Sequence, residues 1–293
     1  LVMKKYKGII LAGGSGSRLQ PLSNVVSKQL MNVYDKPLIY YPISTLLFAG
    51  IRDILIISTE ESIPQFKRLL GDGSQWGVSF SYMIQDKPNG VVEAFLLGEE
   101  FIGDDNVCLI LGDNILYGND LEHILDICKS DEGATILSYP VKDPERFGVV
   151  ESNGDDVISI EEKPRYPKSN RALIGLYFYD NKVIEYAKQV KPSSRNELEI
   201  TDLNKIYLNR KQLRVKRLYR GISWIDAGTF DSLLTASNLI HTLQQVQSYK
   251  ICCPEEISYR NKWIDSDQLY DIIKTMPKSE YGKYLNMIYE NQI

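Results

Sequence analysis

The residues best suited to chemistry in this chain begin with a glycine-rich loop. Gly8 to Ala12 (GIILA) reads as a buried strand that runs straight into Gly13-Gly14-Ser15-Gly16-Ser17-Arg18-Leu19. Glycines after a strand let backbone N–H groups come close to an anion. At the carboxyl end of a parallel strand, such a loop is where nucleotides sit. No Gly-Lys-Ser/Thr follows, so this is not a P-loop, and Leu19 stands where the dinucleotide fingerprint needs its last glycine. Arg18 comes directly after the glycines, and Lys28, in Ser27-Lys28-Gln29-Leu30, ten residues later. Two cations beside one anion-binding loop point to a polyphosphate. Lys28 alone would read as a solvated lysine, and a glycine-rich turn alone is a weak signal.

A carboxylate, Asp113, lies just past the apolar run Val107 to Leu111, where α/β proteins place catalytic groups. In isolation it reads equally well as a helix N-cap. His123 and His241 are the only histidines, which argues against a zinc site or a Ser-His-Asp triad. The cysteines, Cys108, Cys128, Cys252 and Cys253, show no C-x-x-C spacing and read as buried thiols of a reducing compartment. Net charge is −4 with the Lys and Arg spread along the chain, so no concentrated basic face is expected for a nucleic acid. No apolar run approaches the ~20 residues of a membrane span. Lys4, Lys5 and Lys7 precede an apolar run too short for a secretory leader. The expectation is a cytoplasmic protein with no membrane or nucleic-acid partner.

Short apolar runs alternate with helical patterns through the first half. Gly8 to Ala12, Asp53 to Ser58, Ser79 to Ile84 and Val107 to Leu111 read as strands. Tyr41 to Ala49, Pro64 to Leu70 and Val91 to Phe101 read as helices. Continuous Val/Ile/Leu strands separated by helices predict an α/β fold with a parallel sheet covered on both faces. Beyond about Tyr117 the pattern is mixed, with strands expected at Thr135 to Pro140, Gly148 to Glu151, Val157 to Glu161 and Ile174 to Tyr179. From Phe230 onward the chain reads mainly helical, and the two halves are expected to share one sheet.

The ordered motifs G-G-x-G-S-R-L-x-P-L, S-K-Q-L and D-K-P-L-I-Y-Y-P resemble the sugar nucleotidyltransferases. So do Gly71-Asp72-Gly73-Ser74-Gln75-Trp76-Gly77, Leu111-Gly112-Asp113-Asn114, Glu162-Lys163-Pro164, Glu197-Leu198-Glu199-Ile200-Thr201-Asp202 and Cys253-Pro254-Glu255-Glu256-Ile257. The likeness covers nearly the whole chain and is greatest to the members that join dTTP to glucose 1-phosphate and release pyrophosphate. It implies a Rossmann-like mixed, mainly parallel sheet flanked by helices, in one domain over 1–293. Within it, about 1–117 would bind nucleotide, about 118–229 sugar phosphate, and about 230–293 form a helical tail. It also implies a homotetramer and feedback by a dTDP-sugar at a secondary site, which Arg220 and Glu256 resemble although Asn119 replaces a usual His. Uridylyl transfer, or transfer to a modified hexose 1-phosphate, is the alternative. A third possibility is a regulatory homologue without chemistry.

By this resemblance Asp113 and Asp226, the latter in Trp224-Ile225-Asp226-Ala227-Gly228-Thr229, hold Mg²⁺. Gly13, Gly14, Ser15, Gly16, Ser17, Arg18, Lys28, Gln85, Gly90 and Asp113 bind the nucleotide. Gly148, Glu162, Lys163, Gly175, Tyr177, Arg195 and Trp224 bind the sugar phosphate. Arg18, Lys28, Lys163 and Asp113 are the catalytic set. The chemistry is consistent: a sugar phosphate oxygen is already anionic, so charge neutralisation and positioning suffice. A glutamine amide, both donor and acceptor, matches the imide edge of thymine or uracil. Alternatives remain for several residues. Lys163 and Arg195 could form surface ion pairs with Glu162 or Glu197, Gln85 could be a solvated strand residue, and Tyr177 and Trp224 could be core aromatics. The chain departs from its relatives at Val91-Val92-Glu93, where Glu93 puts a carboxylate near the nucleotide pocket unless it faces solvent. Ile174, in place of a usual Thr, is expected to remove a hydroxyl near the sugar. Phe147, Asn196, Ala227 and Phe230 are further departures.

Overall fold

Four strands from the first 111 residues form a parallel core. In the computed structural model, which describes residues 5–14 and 16–291, β1 (Tyr6–Leu11) is followed by a small hairpin of β2 (Asn32–Val33) and β3 (Lys36–Pro37). Next come β4 (Asp53–Ser58), β5 (Ser79–Ile84) and β6 (Asn106–Leu111). Strands β5, β4, β1 and β6 lie side by side and all parallel. Successive residues of β1 serve opposite cores. Ile10 packs with Ile43, Leu46 and Leu47 of the helix Tyr40–Phe48. Ile9 and Leu11 join Phe95, Leu203 and Tyr207 on the other face. Burial on both faces is why β1, β4 and β6 read as unbroken apolar runs, whereas β5, at the sheet edge, alternates.

The sheet continues into the second half and becomes mixed. After β7 (Asn114–Gly118) come β8 (Ala134–Pro140), β9 (Gly148–Asn153), β10 (Asp156–Glu162), β11 (Arg171–Tyr179), β12 (Leu213–Arg217) and β13 (Ile222–Asp226). The full order is β5-β4-β1-β6-β11-β8-β12-β10-β9. Strand β11 runs antiparallel to β6 and β8, and β12 parallel to β8. Strands β7 and β13 form a separate antiparallel pair. The C-terminal part is helical as expected: Phe230–Gln247, Pro254–Arg260, Ser266–Thr275 and Glu280–Tyr289. Among the described residues no helix is long and apolar enough to cross a membrane. All four cysteines are free and buried.

The helix expected over Val91 to Phe101 is two shorter ones, Glu93–Leu97 and Glu99–Ile102, divided at Gly98. A Cβ on Gly98 would lie 2.9 Å from the Ala94 carbonyl oxygen and 3.1 Å from Ile9 Cδ1. Residue 98 is thus where this segment presses on β1, and only glycine fits there without displacing a neighbour. Periodicity also does not reveal the helix Ile200–Asn209 or the strands β7, β12 and β13.

Candidate active site

Strand β6 ends at Leu111, and after Gly112 the chain passes through Asp113 into β7. Strand β7 pairs with β13 so that Asn114 faces Asp226, and the Ala227 N–H donates to the Asp113 carbonyl at 2.9 Å. This short ladder brings together two acids from distant parts of the chain. The Lys28 ammonium donates to Asp113 Oδ2 at 2.5 Å, and the Asn114 amide donates to Asp113 Oδ1 at 2.9 Å. Burial raises the Asp113 carboxyl's pKa, but Lys28 and Asn114 more than offset this and hold it below its ordinary value. Among the described residues Asp226 has no such hydrogen-bonded cation. Burial, and then the negative charge of Asp113, push its carboxyl up to about 6, against weaker pulls from Lys28, Arg18 and Arg146.

Two carboxylates in mutual repulsion beside open space fit a hard divalent cation. Among the described residues no group of three or more His, Cys, Asp or Glu side chains forms a ready cage. Mg²⁺ needs no such cage, since it takes one or two carboxylates and completes its shell with phosphate and water oxygens. The donor set therefore suits Mg²⁺ better than zinc.

Two cavities meet at Asp113. The larger, about 580 Å³, is lined by Arg18, Gly148, Glu162, Lys163, Gly175, Tyr177, Arg195, Trp224 and Asp226. The smaller, about 220 Å³, is lined by Gly13, Lys28, Gln85 and Gly90. Asp113, with Val91, Leu111 and Glu197, borders both. Gly14, Gly16 and Ser17 do not line either cavity, and Ser15 lies outside the described residues. Gly90 is required by its surroundings: its φ is +109°, and a Cβ would sit 2.5 Å from the Leu198 N and O atoms. This packing ties the 87–92 loop to the chain after Arg195, through Leu198 N–H to Asn89 O at 2.7 Å.

The sequence pattern of the Nucleotidyl transferase family matches residues 7–242. The chain belongs to this family. A glucose-1-phosphate thymidylyltransferase of Neisseria meningitidis serogroup A is 55% identical over 281 residues, covering 95% of this chain and 98% of that protein. One from Mycolicibacterium smegmatis is 53% identical over 287 residues, covering 98% and 100%. A Bacillus anthracis crystal structure, described as a glucose-1-phosphate thymidylyltransferase in complex with sucrose, superposes with a TM-score of 0.74 at 45% identity, over 80% of this chain and 94% of that one. UDP-glucose pyrophosphorylase complexed with UDP-glucose shares the fold at TM-score 0.70 and 24% identity, over 82% and 99%. Members of the family generally use a divalent metal ion.

In this nucleotidyl transferase the larger cavity is held by a web of charges. Arg195 makes its shortest contacts, 2.8 Å, to both oxygens of Glu199, with Glu162 at 3.4 Å and Glu197 at 3.6 Å. Glu199 is thus its main partner, rather than the nearer chain neighbour Glu197. Thr201 donates to Glu162 Oε2 at 2.5 Å. Lys163 adopts a left-handed φ of 43° while its N–H bonds to Phe147 O at 3.0 Å. A non-glycine residue held there costs about 1–3 kcal/mol, strain characteristic of functional sites. Tyr177 is buried in the sheet and stacks on Tyr179, yet lines the cavity. It is both core aromatic and pocket wall.

Asn114 is the residue that motif spacing did not single out for a role. It is buried, and its Oδ1 accepts from Trp224 Nε1 at 2.6 Å and Gly175 N at 3.1 Å. The β11–β8 register is interrupted between Leu173 and Tyr177, and Asn114 takes up the Gly175 N–H within that irregular stretch. One amide therefore connects Asp113, Gly175 and Trp224. The irregularity also revises the expectation for Ile174. That side chain is fully buried in the core on the face of β11 opposite the cavity, while Leu173, Gly175 and Tyr177 face it. A hydroxyl at 174 would point into apolar packing, so the departure does not alter the cavity wall. Asn196 has φ 58°, a conformation that asparagine tolerates better than most residues. Of the residues resembling a secondary site, Asn119 and Arg220 are exposed, and Glu256 is held by Arg260 at 2.7 Å and Tyr284 at 2.5 Å.

Gly13 makes a testable contact. A Cβ there would meet Gln85 Oε1 at 2.6 Å, and Gln85 is 5% exposed with its amide nitrogen held by Glu93 at 2.6 Å. Gly13→Ala is expected to displace the glutamine and raise the nucleotide KM about tenfold, the loss of one hydrogen bond. Initial rates against dTTP concentration check this, and an unchanged KM would mean that Gln85 does not touch the nucleotide.

Proposed function

We propose that this enzyme transfers a thymidylyl group from dTTP to α-D-glucose 1-phosphate, giving dTDP-glucose and pyrophosphate. One observation carries the reading: a cavity bearing Gly13, Gln85 and Gly90 and a cavity bearing Glu162, Lys163 and Arg195 share Asp113 as a common wall. Kinship to thymidylyltransferases over nearly the whole chain supports the choice of substrates.

A sugar phosphate oxygen attacks the α-phosphorus of the nucleotide, and the bond to the β,γ-pyrophosphate breaks. No protein nucleophile is consumed. The protein's task is to hold two anions together in line, and such positioning can lower the barrier by roughly 7–11 kcal/mol. Lys28 and Arg18 meet the triphosphate, and a phosphate entering the smaller cavity competes with Asp113 for the Lys28 ammonium. Lys163 and Arg195 meet the sugar phosphate. The three carboxylates around Arg195 hold its guanidinium in place. Glu162, oriented by Thr201, accepts from sugar hydroxyls. Asp113 and Asp226 would hold Mg²⁺, which supplies positive charge to the phosphates and Lewis acidity at the transferring group.

The test is pyrophosphate release with Mg²⁺ and a panel of triphosphates and hexose 1-phosphates. Highest kcat/KM for dTTP with glucose 1-phosphate is expected. No turnover with any pair would reject the reading, and a preference for UTP would move the assignment to uridylyl transfer.

A further inference from the structure

We infer that Arg146 is a further substrate-contacting residue: it exchanges its ion pair with Asp143 for the pyrophosphate group that departs beside Asp226. This rests on the nucleotidyl transfer proposed above. Among the described residues the cations lining the larger cavity are Arg18, Arg146, Lys163 and Arg195, and the sequence motifs account for all but Arg146. Lys163 and Arg195 stand at the end bearing Glu162, Glu197 and Glu199. Arg146 pairs with a different acid, Asp143, at 2.6 Å. Arg146, Asp226 and Thr229 border the larger cavity and also a further one of about 520 Å³. Asp143 lines the further cavity and not the larger one. The guanidinium therefore has its carboxylate partner on one side and the reaction site on the other. The three cations that weigh most on Asp226, against burial and the charge of Asp113, are Lys28, Arg18 and Arg146. Arg146 thus belongs with the triphosphate cations rather than with the sugar-phosphate pair.

In-line transfer gives a third cation work on that side. The entering sugar phosphate oxygen and the leaving pyrophosphate oxygen lie on opposite sides of the α-phosphorus. With Lys163 and Arg195 on the entering side, Lys28, Arg18 and Arg146 fall on the leaving side. As the bond breaks, its electron pair passes to the β-phosphate oxygen, and cations held where that charge grows lower the barrier. The Asp143 pair is readily given up. Its side chains are 51% and 42% exposed, and exposed ion pairs add little stability. Pyrophosphate offers several anionic oxygens, and a planar guanidinium takes two of them at once. Once the pyrophosphate loosens, Asp143 competes for the guanidinium and favours release. Local structure keeps Arg146 within reach of both partners. Its N–H bonds to Asp143 O at 3.2 Å, and its guanidinium lies over the Phe147 ring at 5.4 Å. Phe147 O accepts from Lys163 N at 3.0 Å, which ties this segment to a cation of the entering side.

The experiment runs the reaction backwards, from dTDP-glucose and pyrophosphate with Mg²⁺, because this separates the leaving group from the rest of the substrate. dTDP-glucose carries both the nucleoside and the sugar phosphate, and pyrophosphate alone reports on Arg146. Arg146→Ala is expected to raise the pyrophosphate KM at least tenfold, with the KM for dTDP-glucose staying within about threefold. Arg146→Lys should recover part of the loss, since it keeps the charge without the planar fork. Asp143→Asn frees the guanidinium and is expected to leave the pyrophosphate KM at or below the wild-type value. Thermal melts check the fold, and the lysine variant carries the test should the alanine variant not fold. An unchanged pyrophosphate KM in the Arg146 variants would overturn the inference. So would a rise confined to dTDP-glucose, which would place Arg146 with the sugar phosphate. A pyrophosphate KM raised equally by Asp143→Asn would show that the pair only holds its loop, and would likewise overturn the inference. A wild type that does not cleave dTDP-glucose with pyrophosphate would instead overturn the function on which the role depends.

Discussion

Asp113→Asn is expected to lower kcat at least ~10²-fold at saturating substrates, comparable to losing one strong transition-state contact. The substitution changes charge and hardly shape. Its main-chain oxygen still accepts from Ala227 N–H, so the link between the two acid-bearing segments survives. The side chain loses three things together. The 2.5 Å ion pair to Lys28 goes, and an amide nitrogen can replace one oxygen only by facing a donor, Lys28 or Asn114. One of the two carboxylates proposed for the cation also goes. Asp226, relieved of its neighbour's charge, should return toward its ordinary pKa. Pyrophosphate release measures the kcat, and a thermal melt checks the fold. A folded variant retaining more than a tenth of wild-type turnover would reject Asp113 as a metal ligand.

The parts of this site that could be read from the chain are those encoded within one short segment. The glycine loop follows its strand directly, Lys28 lies ten residues on, and Asp113 ends an apolar run. Each is a local signal, and local signals correctly predicted the four parallel strands. What could not be read depends on pairing across long separations. Asp226 faces the catalytic region only because β13 pairs with β7, and neither segment is a long or strongly alternating run. Asn114 serves a strand irregularity whose position depends on register, which one-dimensional spacing does not contain. Adjacency to Gly175 suggests that Ile174 lies beside the sugar, whereas alternation along β11 turns consecutive side chains to opposite faces. Arg195 had two acids close by in the chain, but Glu199 at i+4 is the one that holds it bidentately. The residue types announce the chemistry, and the sheet's registers decide which of them meet.

Asp226→Asn is expected to reduce turnover at least as severely as a lost strong contact, ~10²-fold, while making the metal-free protein more stable at pH 7.5. The stability gain follows from the direction of its pKa. A carboxyl ordinarily near 3.8 is pushed to about 6 in the folded chain by burial and by Asp113. Between those values the folded state binds a proton that the unfolded state has released, so stability falls as pH rises through that window. Above pH ~6 the whole penalty is present. About two units at ~1.4 kcal/mol each would be an upper bound near 3 kcal/mol. Partial solvent access and sharing of the repulsion with Asp113 bring the expected gain to about 1–2 kcal/mol, or a Tm increase of about 2–4 °C. Asparagine carries no charge to repel, so the gain should vanish near pH 4, where the wild-type carboxyl is protonated in the folded state. Added Mg²⁺ should stabilise wild type and not the variant. Melts in chelator and in Mg²⁺ at pH 4 and 7.5, read beside pyrophosphate release, separate these effects. A variant less stable than wild type in chelator at pH 7.5 would mean that the charge of Asp226 is already compensated within the protein. The repulsion would then not be the reason the two acids receive a cation.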